Sequence, residues 1–188
     1  MKQLAVFASG TGSNFSALAH FFAQREVAQI AVLVCDHDDA KVLEKAERCG
    51  IPTLVVDYQA YPNKAAVEAA IVAQLPPVDL IVLAGFMRII GPTLLSAFPN
   101  RVINLHPALL PSFPGRNGIG DAWDYGVKVT GVTVHYVDAG IDSGAIIAQQ
   151  AVTITPTTTR ESLEAQIHEV EHQLLPQVIA NLIQQGEC

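Results

Sequence analysis

The run that most constrains the fold is Asp79-Leu-Ile-Val-Leu-Ala-Gly85, whose apolar residues follow one another without alternation. A strand that is apolar on both faces has to be covered on both, as in a parallel sheet with helices above and below it. Further short strands are predicted at Leu4–Ala8, Ile30–Val34, Thr53–Val56 and Val102–Leu105. The first half of the chain therefore predicts a parallel sheet of five strands.

Helical patterns separate these strands, as in βαβ units. Asp38 or Asp39 can cap the second helix, which Gly50 stops, and Asn63 can cap the third. Pro92 is typical of the first turn of a short fourth helix. The first helix carries apolar residues at helical spacing: Phe15, Leu18, Ala19 and Phe22.

The pattern changes after the fifth strand. A short helix is predicted over Gly118–Tyr125, and the longer β-rich runs Lys128–Val137 and Ala145–Thr153 indicate antiparallel strands added to the sheet. Thr158 or Thr159 can cap a final helix whose apolar stripe packs on the sheet. We predict a single doubly wound, Rossmann-like α/β domain with a mostly parallel mixed sheet.

Composition narrows the class of protein. The 188 residues suit one domain, and 11 basic against 18 acidic residues give a net charge of −7, which disfavours nucleic-acid binding. We find no signal peptide and no apolar run of membrane-spanning length. Cys35, Cys49 and Cys188 form no CxxC pair and read as free thiols, the first two in the core. We expect a cytoplasmic protein that binds neither membranes nor nucleic acids.

Asn104 and His106 lie two residues apart at the end of the fifth strand. Such residues point to the same face, and ligands of open α/β sheets bind at the carboxyl ends of strands. An amide N–H can stabilise a developing oxyanion, and an imidazole can move protons near neutral pH. The proline-rich segment 107–115 reads as a rigid brace behind the pair. The alternative is a histidine that only caps a loop.

The loop Ser9-Gly-Thr-Gly-Ser-Asn14 lies between the first strand and the first helix. Free N–H groups at a helix N-terminus favour an anion such as a phosphate. The loop lacks the lysine of a Walker loop, and Phe15 occupies the third glycine position of the dinucleotide fingerprint. A phosphate monoester fits it best. The alternative is a tight turn with Ser13 or Asn14 as the helix cap.

A loop with two carboxylates, Val137–Gly144, joins the two late strands. If Asp142 lies beside His106, it would orient the ring and help to keep it protonated. Alternatively, Asp138 or Asp142 only caps backbone N–H groups. No metal site is predicted, because the histidines and aspartates show no compact ligand spacing.

Several segments, in this order, resemble the folate-dependent formyltransferases, in the branch that acts on glycinamide ribonucleotide. The resemblance covers essentially the whole chain. Its segments are Ser-Gly-Thr-Gly-Ser-Asn at 9–14, Leu-Ala-Gly-Phe-Met-Arg at 83–88, Asn-Leu-His-Pro-Ala-Leu-Leu-Pro-Ser-Phe-Pro-Gly at 104–115, Gly-Val-Thr-Val-His-Tyr-Val-Asp at 131–138 and Asp-Ser-Gly at 142–144.

The resemblance implies transfer of the formyl group of 10-formyltetrahydrofolate to the amine of 5'-phosphoribosylglycinamide, a step of de novo purine (IMP) biosynthesis. It implies that Asn104 and His106 stabilise the oxyanion and that Asp142 assists proton transfer. The implied partners are small molecules only, with formylated folate as co-substrate and no metal. We expect a monomer or a weak homodimer.

The resemblance also implies binding residues, with residues 1–100 as the phosphate-substrate half and 101–188 as the folate-binding and catalytic half. Those for the phosphate and ribose are Gly10, Thr11, Gly12, Ser13, Asn14 and Glu171. Those for folate are Lys64, Met87, Arg88, Ile89, Ile90, Val137, Asp138, Ala139, Gly140 and Ile141. The chain departs from the family at Lys64, where an arginine is frequent, at His168, where some members have glutamine, and in the glycine-rich segment 116–120.

Three alternatives stay open at this point. A formyltetrahydrofolate hydrolase shares the Asn104, His106 and Asp142 set but usually has an additional N-terminal domain. A tRNA formyltransferase needs a basic extension, whereas this chain is acidic. A non-catalytic folate or nucleotide sensor on the same fold is disfavoured, because buried polar groups without a use are costly.

Overall fold

Seven strands form one mixed sheet in the computed structural model of the chain, which describes residues 1–187. The strand order is β3-β2-β1-β4-β5-β6-β7. The first five strands pair in parallel, and β6 and β7 are added antiparallel to them. The predicted fold class is confirmed. The strands are β1 (Lys2–Phe7), β2 (Ala28–Cys35), β3 (Thr53–Val55), β4 (Leu80–Leu83), β5 (Val102–His106), β6 (Val129–Tyr136) and β7 (Ile146–Thr153).

Helices cover both faces of this sheet, as the apolar run at β4 requires. Leu80 and Val82 pack into the core on one face, with α1, α2 and α6, while Ile81 and Leu83 pack on the other face with α3 and α4. All four side chains are buried. The helices are α1 (Ser13–Ala23), α2 (Lys41–Arg48), α3 (Lys64–Gln74), α4 (Pro92–Ala97), α5 (Gly118–Tyr125) and α6 (Arg160–Gln185), with one 3₁₀ turn at Tyr58–Ala60.

The helix caps test the local predictions. Asn63 accepts a hydrogen bond from the Ala66 N–H at 2.9 Å, and Thr159 forms a reciprocal capping box with Ser162, so both predicted caps are confirmed. The prediction of Asp38 or Asp39 as the cap of α2 is wrong. The N-cap is Ala40, whose methyl group cannot cap, and the Gly10 carbonyl accepts from the Val42 N–H at 3.1 Å instead.

The free-thiol prediction for the cysteines is confirmed in part. Cys35 is a buried free thiol at the end of β2. Cys49 is also free but exposed, so its assignment to the core is wrong: it follows the last turn of α2 on the solvent side. Cys188 lies outside the described residues. Over residues 1–187, no helix is long and apolar enough to cross a membrane.

Candidate active site

A cavity of about 450 Å³ opens at the carboxyl ends of β1, β4 and β5. The chain leaves β1 toward β2 on one side and later returns to β4 on the other, so the strand order reverses between β1 and β4. Ligands of open α/β sheets bind at such a reversal. The loop between β6 and β7 and one turn of α6 complete the wall.

Most of the predicted site residues line this cavity. The exceptions are Lys64, Asp138 and Ala139, all of which are exposed and lie off the wall. The Lys64 side chain lies against the backbone of Gly91. Asp138 accepts hydrogen bonds from the Ser143 hydroxyl and the Gly140 N–H, which hold its pKa below the usual value and shape the loop. Asp138 therefore behaves as the loop-capping aspartate of the alternative interpretation.

The three predicted catalytic side chains meet at one end of the cavity. Asn104 and His106 end β5, and the β6–β7 loop carries Asp142 to them. Asn104 Nδ2 donates to Asp142 Oδ1 at 3.3 Å, and His106 Nδ1 lies 3.5 Å from Asp142 Oδ2. The meeting of Asp142 and His106, which spacing could not establish, is thus present in the structure.

The proton positions on His106 follow from its neighbours. Nε2 lies 2.7 Å from the carbonyl oxygen of Phe113. A carbonyl only accepts, so Nε2 carries a proton and Nδ1 faces the Asp142 carboxylate. When Nδ1 is also protonated, each ring N–H has an acceptor. The ring is buried beside the reacting end of the cavity, with an acceptor next to each of its nitrogens.

His135 is a member of this cluster that the sequence did not reveal. It lies opposite Asn104 across β5 and β6, with its Nε2 3.2 Å from Asn104 Nδ2 and 3.5 Å from Asp142 Oδ1. Its Nδ1 lies 2.9 Å from the Tyr136 carbonyl oxygen, so Nδ1 carries a proton. The only sequence signal for His135 was the alternating pattern of β6. Which residue of β6 lies opposite Asn104 depends on the pairing register of β5 and β6 in the sheet.

Asp142 is held in an uncommon backbone conformation, with φ of 50°. Its Oδ2 accepts from the Gly115 N–H at 2.7 Å. Burial acts to raise the pKa of this carboxyl, but the His135 contact, the Gly115 hydrogen bond and the nearby His106 outweigh it, so the pKa lies below its usual value. Asp142 is therefore a carboxylate at neutral pH.

Side chains of β6 and β7 hold the segment 107–115, which follows β5. The buried Thr133 hydroxyl donates to the Ala108 carbonyl at 2.7 Å and accepts from the Leu110 N–H at 3.1 Å. Gln149 donates to the Leu110 carbonyl at 2.9 Å. These bonds place Phe113 and Gly115, whose backbone groups contact His106 and Asp142. The segment is thus pinned by side chains as well as stiffened by prolines.

The glycine loop presents an open helix N-terminus to the cavity. Gly12 is the N-cap of α1, with φ of 71° and no side-chain cap, so the alternative of a Ser13 or Asn14 cap is wrong. A side chain at position 12 would clash with α2, because its Cβ would lie 2.4 Å from Val42 Cγ2. Uncapped N–H groups at the start of a helix suit an anion.

The last helix adds a polar cluster beside this loop. Asn14 Nδ2 donates to Glu171 Oε2 at 3.1 Å, and His168 Nδ1 lies 2.9 Å from the same oxygen. The hydrogen bond to Glu171 raises the pKa of His168. Asn14 Oδ1 is buried with no hydrogen-bond partner within residues 1–187, which leaves it able to accept from a bound ligand.

Met87 and Arg88 form the opposite wall. The Met87 N–H donates to Ser9 Oγ at 2.8 Å, which ties this wall to the glycine loop. Arg88 Nε donates to the buried carboxylate of Asp36 at 2.6 Å, and its guanidinium lies 4.8 Å from the centroid of the Tyr58 ring. Arg88 lines the cavity, but its charge is already paired with Asp36. No cluster of His, Cys, Asp and Glu within residues 1–187 could hold a metal ion.

These features define a class of protein: a group-transfer enzyme on a Rossmann-like fold, with an uncapped helix N-terminus next to a cluster of amide, imidazole and carboxylate side chains. The chain belongs to the formyl transferase family, whose model matches residues 2–179, in its phosphoribosylglycinamide formyltransferase branch. The phosphoribosylglycinamide formyltransferase of Bacillus subtilis is 50% identical over 186 residues, covering 97% of this chain and 95% of that protein.

Solved structures agree with this assignment. Glycinamide ribonucleotide transformylase 1 from Geobacillus kaustophilus is 50% identical, with a TM-score of 0.94 over 97% of this chain and 99% of that one. Phosphoribosylglycinamide formyltransferase from Bacillus halodurans is 45% identical, with a TM-score of 0.94 over 98% of this chain and 97% of that one. Likeness of this extent includes the elements that form the cavity.

Proposed function

We propose that this chain transfers the formyl group of 10-formyltetrahydrofolate to the amine of 5'-phosphoribosylglycinamide, in de novo purine (IMP) biosynthesis. The observation that carries the proposal is one cavity that joins an uncapped helix N-terminus to the Asn104, His106 and Asp142 cluster. The names of the similar proteins support the same reaction.

The cavity suggests how the two substrates lie. The phosphate would accept hydrogen bonds from the backbone of Gly10 to Asn14 at the start of α1, and Glu171 would accept from the ribose hydroxyls. The folate would lie between the wall of Met87 to Ile90 and the segment Val137 to Asp142. This division gives residues 1–100 most of the phosphate site and residues 101–188 the catalytic end, but Glu171 and the folate wall of Met87 to Ile90 cross it. Holding both substrates in one cavity replaces a bimolecular encounter by an oriented one.

The reaction begins with attack of the substrate amine on the formyl carbon. A C–N bond forms, the carbonyl electrons move to oxygen, and the tetrahedral oxyanion is stabilised by the Asn104 amide N–H and the charge of His106. The attacking nitrogen then loses a proton, N10 of the folate gains one, and the bond from the formyl carbon to N10 breaks. No metal ion is needed, because Asn104 and His106 already address the oxyanion.

Asp142 has two roles in this scheme. Its carboxylate orients the His106 ring, with His106 Nδ1 3.5 Å from Asp142 Oδ2. As a carboxylate at neutral pH, it also accepts the proton lost by the amine, directly or through a water molecule. His135 is a positioning residue here, because it contacts Asn104 and Asp142 on the side of β6.

An assay of 10-formyltetrahydrofolate with and without 5'-phosphoribosylglycinamide tests the proposal. We expect formyl transfer that depends on the amine substrate. Deformylation at the same rate without the amine would favour the hydrolase alternative, and no turnover with either mixture would favour the sensor alternative. We further propose a cytoplasmic location. We also propose a monomer or weak homodimer, and sedimentation at micromolar concentrations tests this oligomeric state.

A further inference from the structure

A cationic side chain lies at the mouth of the cavity, on the segment that follows β5. Arg116 comes directly after Gly115, whose N–H holds Asp142, and its exposed side chain lines the cavity. Arg116 Nη2 lies 3.5 Å from the carbonyl oxygen of Met87. The side chain therefore crosses from the wall after β5 to the wall after β4, using one long hydrogen bond of the five that a guanidinium can donate.

The charge of Arg116 is not matched by a protein carboxylate. None of the ion pairs formed within residues 1–187 includes it. The other arginine of the cavity wall, Arg88, is already paired with Asp36 at 2.6 Å. Lys64, which the family resemblance suggested for this side, lies off the wall against Gly91. Arg116 is thus the uncommitted permanent cation of the described cavity wall.

The surface next to Arg116 is apolar. Met87 and Ile89 are each 52% exposed and Ile141 is 61% exposed, and all three line the same cavity. Large apolar side chains left this open suit a flat aromatic ligand group. A formylated folate has such a group, the aminobenzoyl ring, and beyond it a glutamyl tail with free carboxylates. A ligand lying on this surface would bring a carboxylate to the guanidinium.

We propose that Arg116 binds the glutamyl carboxylates of the formylated folate at the mouth of the cavity and so determines the preference for tail-bearing co-substrates. The inference rests on the proposed function and deepens it. A guanidinium fork matches a carboxylate in a bidentate manner, which an ammonium at Lys64 would not. The substrate phosphate has its own site at Gly10 to Asn14, so the tail is the anion left for Arg116.

Arg116→Gln tests the assignment by a comparison of two co-substrates. One is 10-formyltetrahydrofolate, and the other is its analogue in which a neutral methylamide replaces the glutamyl residue. We expect the KM for the tail-bearing compound to rise about fivefold, the size of an exposed ion pair, with a smaller effect on kcat. The KM for the neutral analogue should be the same in the wild type and the variant. Arg116→Glu should raise the first KM further, and added salt should shrink the difference.

Arg25→Gln is the matched control, because Arg25 is an exposed arginine before β2, at the opposite end of the strands from the cavity. Equal changes in KM for the two co-substrates, or no change for either, would overturn the assignment. A change confined to the KM for 5'-phosphoribosylglycinamide would assign Arg116 to the phosphate instead. A wild type without turnover would overturn the proposed function; direct calorimetric binding of both folates to the wild type and Arg116→Gln would then still test the tail contact.

Discussion

Asn104 and His135 face each other across the antiparallel pair β5 and β6, with Asn104 Nδ2 3.2 Å from His135 Nε2. The contact directs the amide that we propose stabilises the oxyanion. It also links two strands that the sequence presents as separate features. His135 Nε2 also lies 3.5 Å from Asp142 Oδ1, so one imidazole contacts both Asn104 and Asp142.

His135→Ala should lower kcat by on the order of 10²-fold, since small displacements of catalytic groups have effects of this size. The KM values should change much less, because His135 is absent from the wall of the cavity. Steady-state kinetics with both substrates separate the two constants. A fall in kcat/KM that comes from KM alone would contradict a positioning role.

Asn104→Ala and His106→Ala should each lower kcat by about 10²–10³-fold, the usual cost of removing one oxyanion donor. Each change is local, so circular dichroism and the unfolding midpoint should show a folded protein. Turnover near that of the wild type in either folded variant would rule out the assigned role.

Thr133→Val should destabilise the segment that carries Phe113 and Gly115. The variant leaves the Ala108 carbonyl and the Leu110 N–H without their partner in a buried site, at a cost of about 1–3 kcal/mol. Urea unfolding measures the loss of free energy, and kcat should fall as well, because Phe113 and Gly115 contact His106 and Asp142. Thr153→Val, at an exposed position of β7, should change stability by at most about 0.5 kcal/mol. Equal effects of the two variants would contradict the bracing role.

Arg88→Gln should destabilise the protein, because it removes the closest partner of the fully buried carboxylate of Asp36 and leaves only His37 Nε2, 3.5 Å away. The expected loss is about 2 kcal/mol, below the usual range for a buried pair, since the guanidinium is 38% exposed. Asp36→Asn combined with Arg88→Gln should recover part of the loss. Additive effects in this double-mutant cycle would show that the pair is not coupled.

The stability of the polar cluster on α6 should depend on pH through His168. Its pKa is raised above the unfolded value by the hydrogen bond to Glu171, with Glu164 adding to the shift and burial opposing it. A raised pKa means that the stabilisation is complete below the unfolded value and is lost as the pH rises through the folded value. The difference in Tm between the wild type and His168→Gln should therefore be larger at pH 6 than at pH 9. His20→Gln, at an exposed site of α1, serves as the control. A difference that grows toward pH 9 would contradict the assignment.

Local sequence patterns were sufficient to predict the strands and helices. The apolar run at β4 required helices on both faces, and Leu80 with Val82 and Ile81 with Leu83 do pack into separate cores. Asn63 and Thr159 were found as caps because a cap bonds within its own first turn. The same rule failed at α2, where the carbonyl of Gly10, a residue from another loop, takes the place of the cap.

The sequence by itself determined the fold class, the glycine loop and the side-by-side placement of Asn104 and His106, because each follows from spacing along one strand or one turn. Only the tertiary structure decided which groups meet them. The register of β6 brings His135 to Asn104, the β6–β7 loop brings Asp142 to His106, and α6 brings Glu171 to Asn14. It also keeps Lys64 off the cavity wall and leaves Arg116 on it. These pairings join residues far apart in the chain, and periodicity, which reports only neighbours along the chain, contains no information about them.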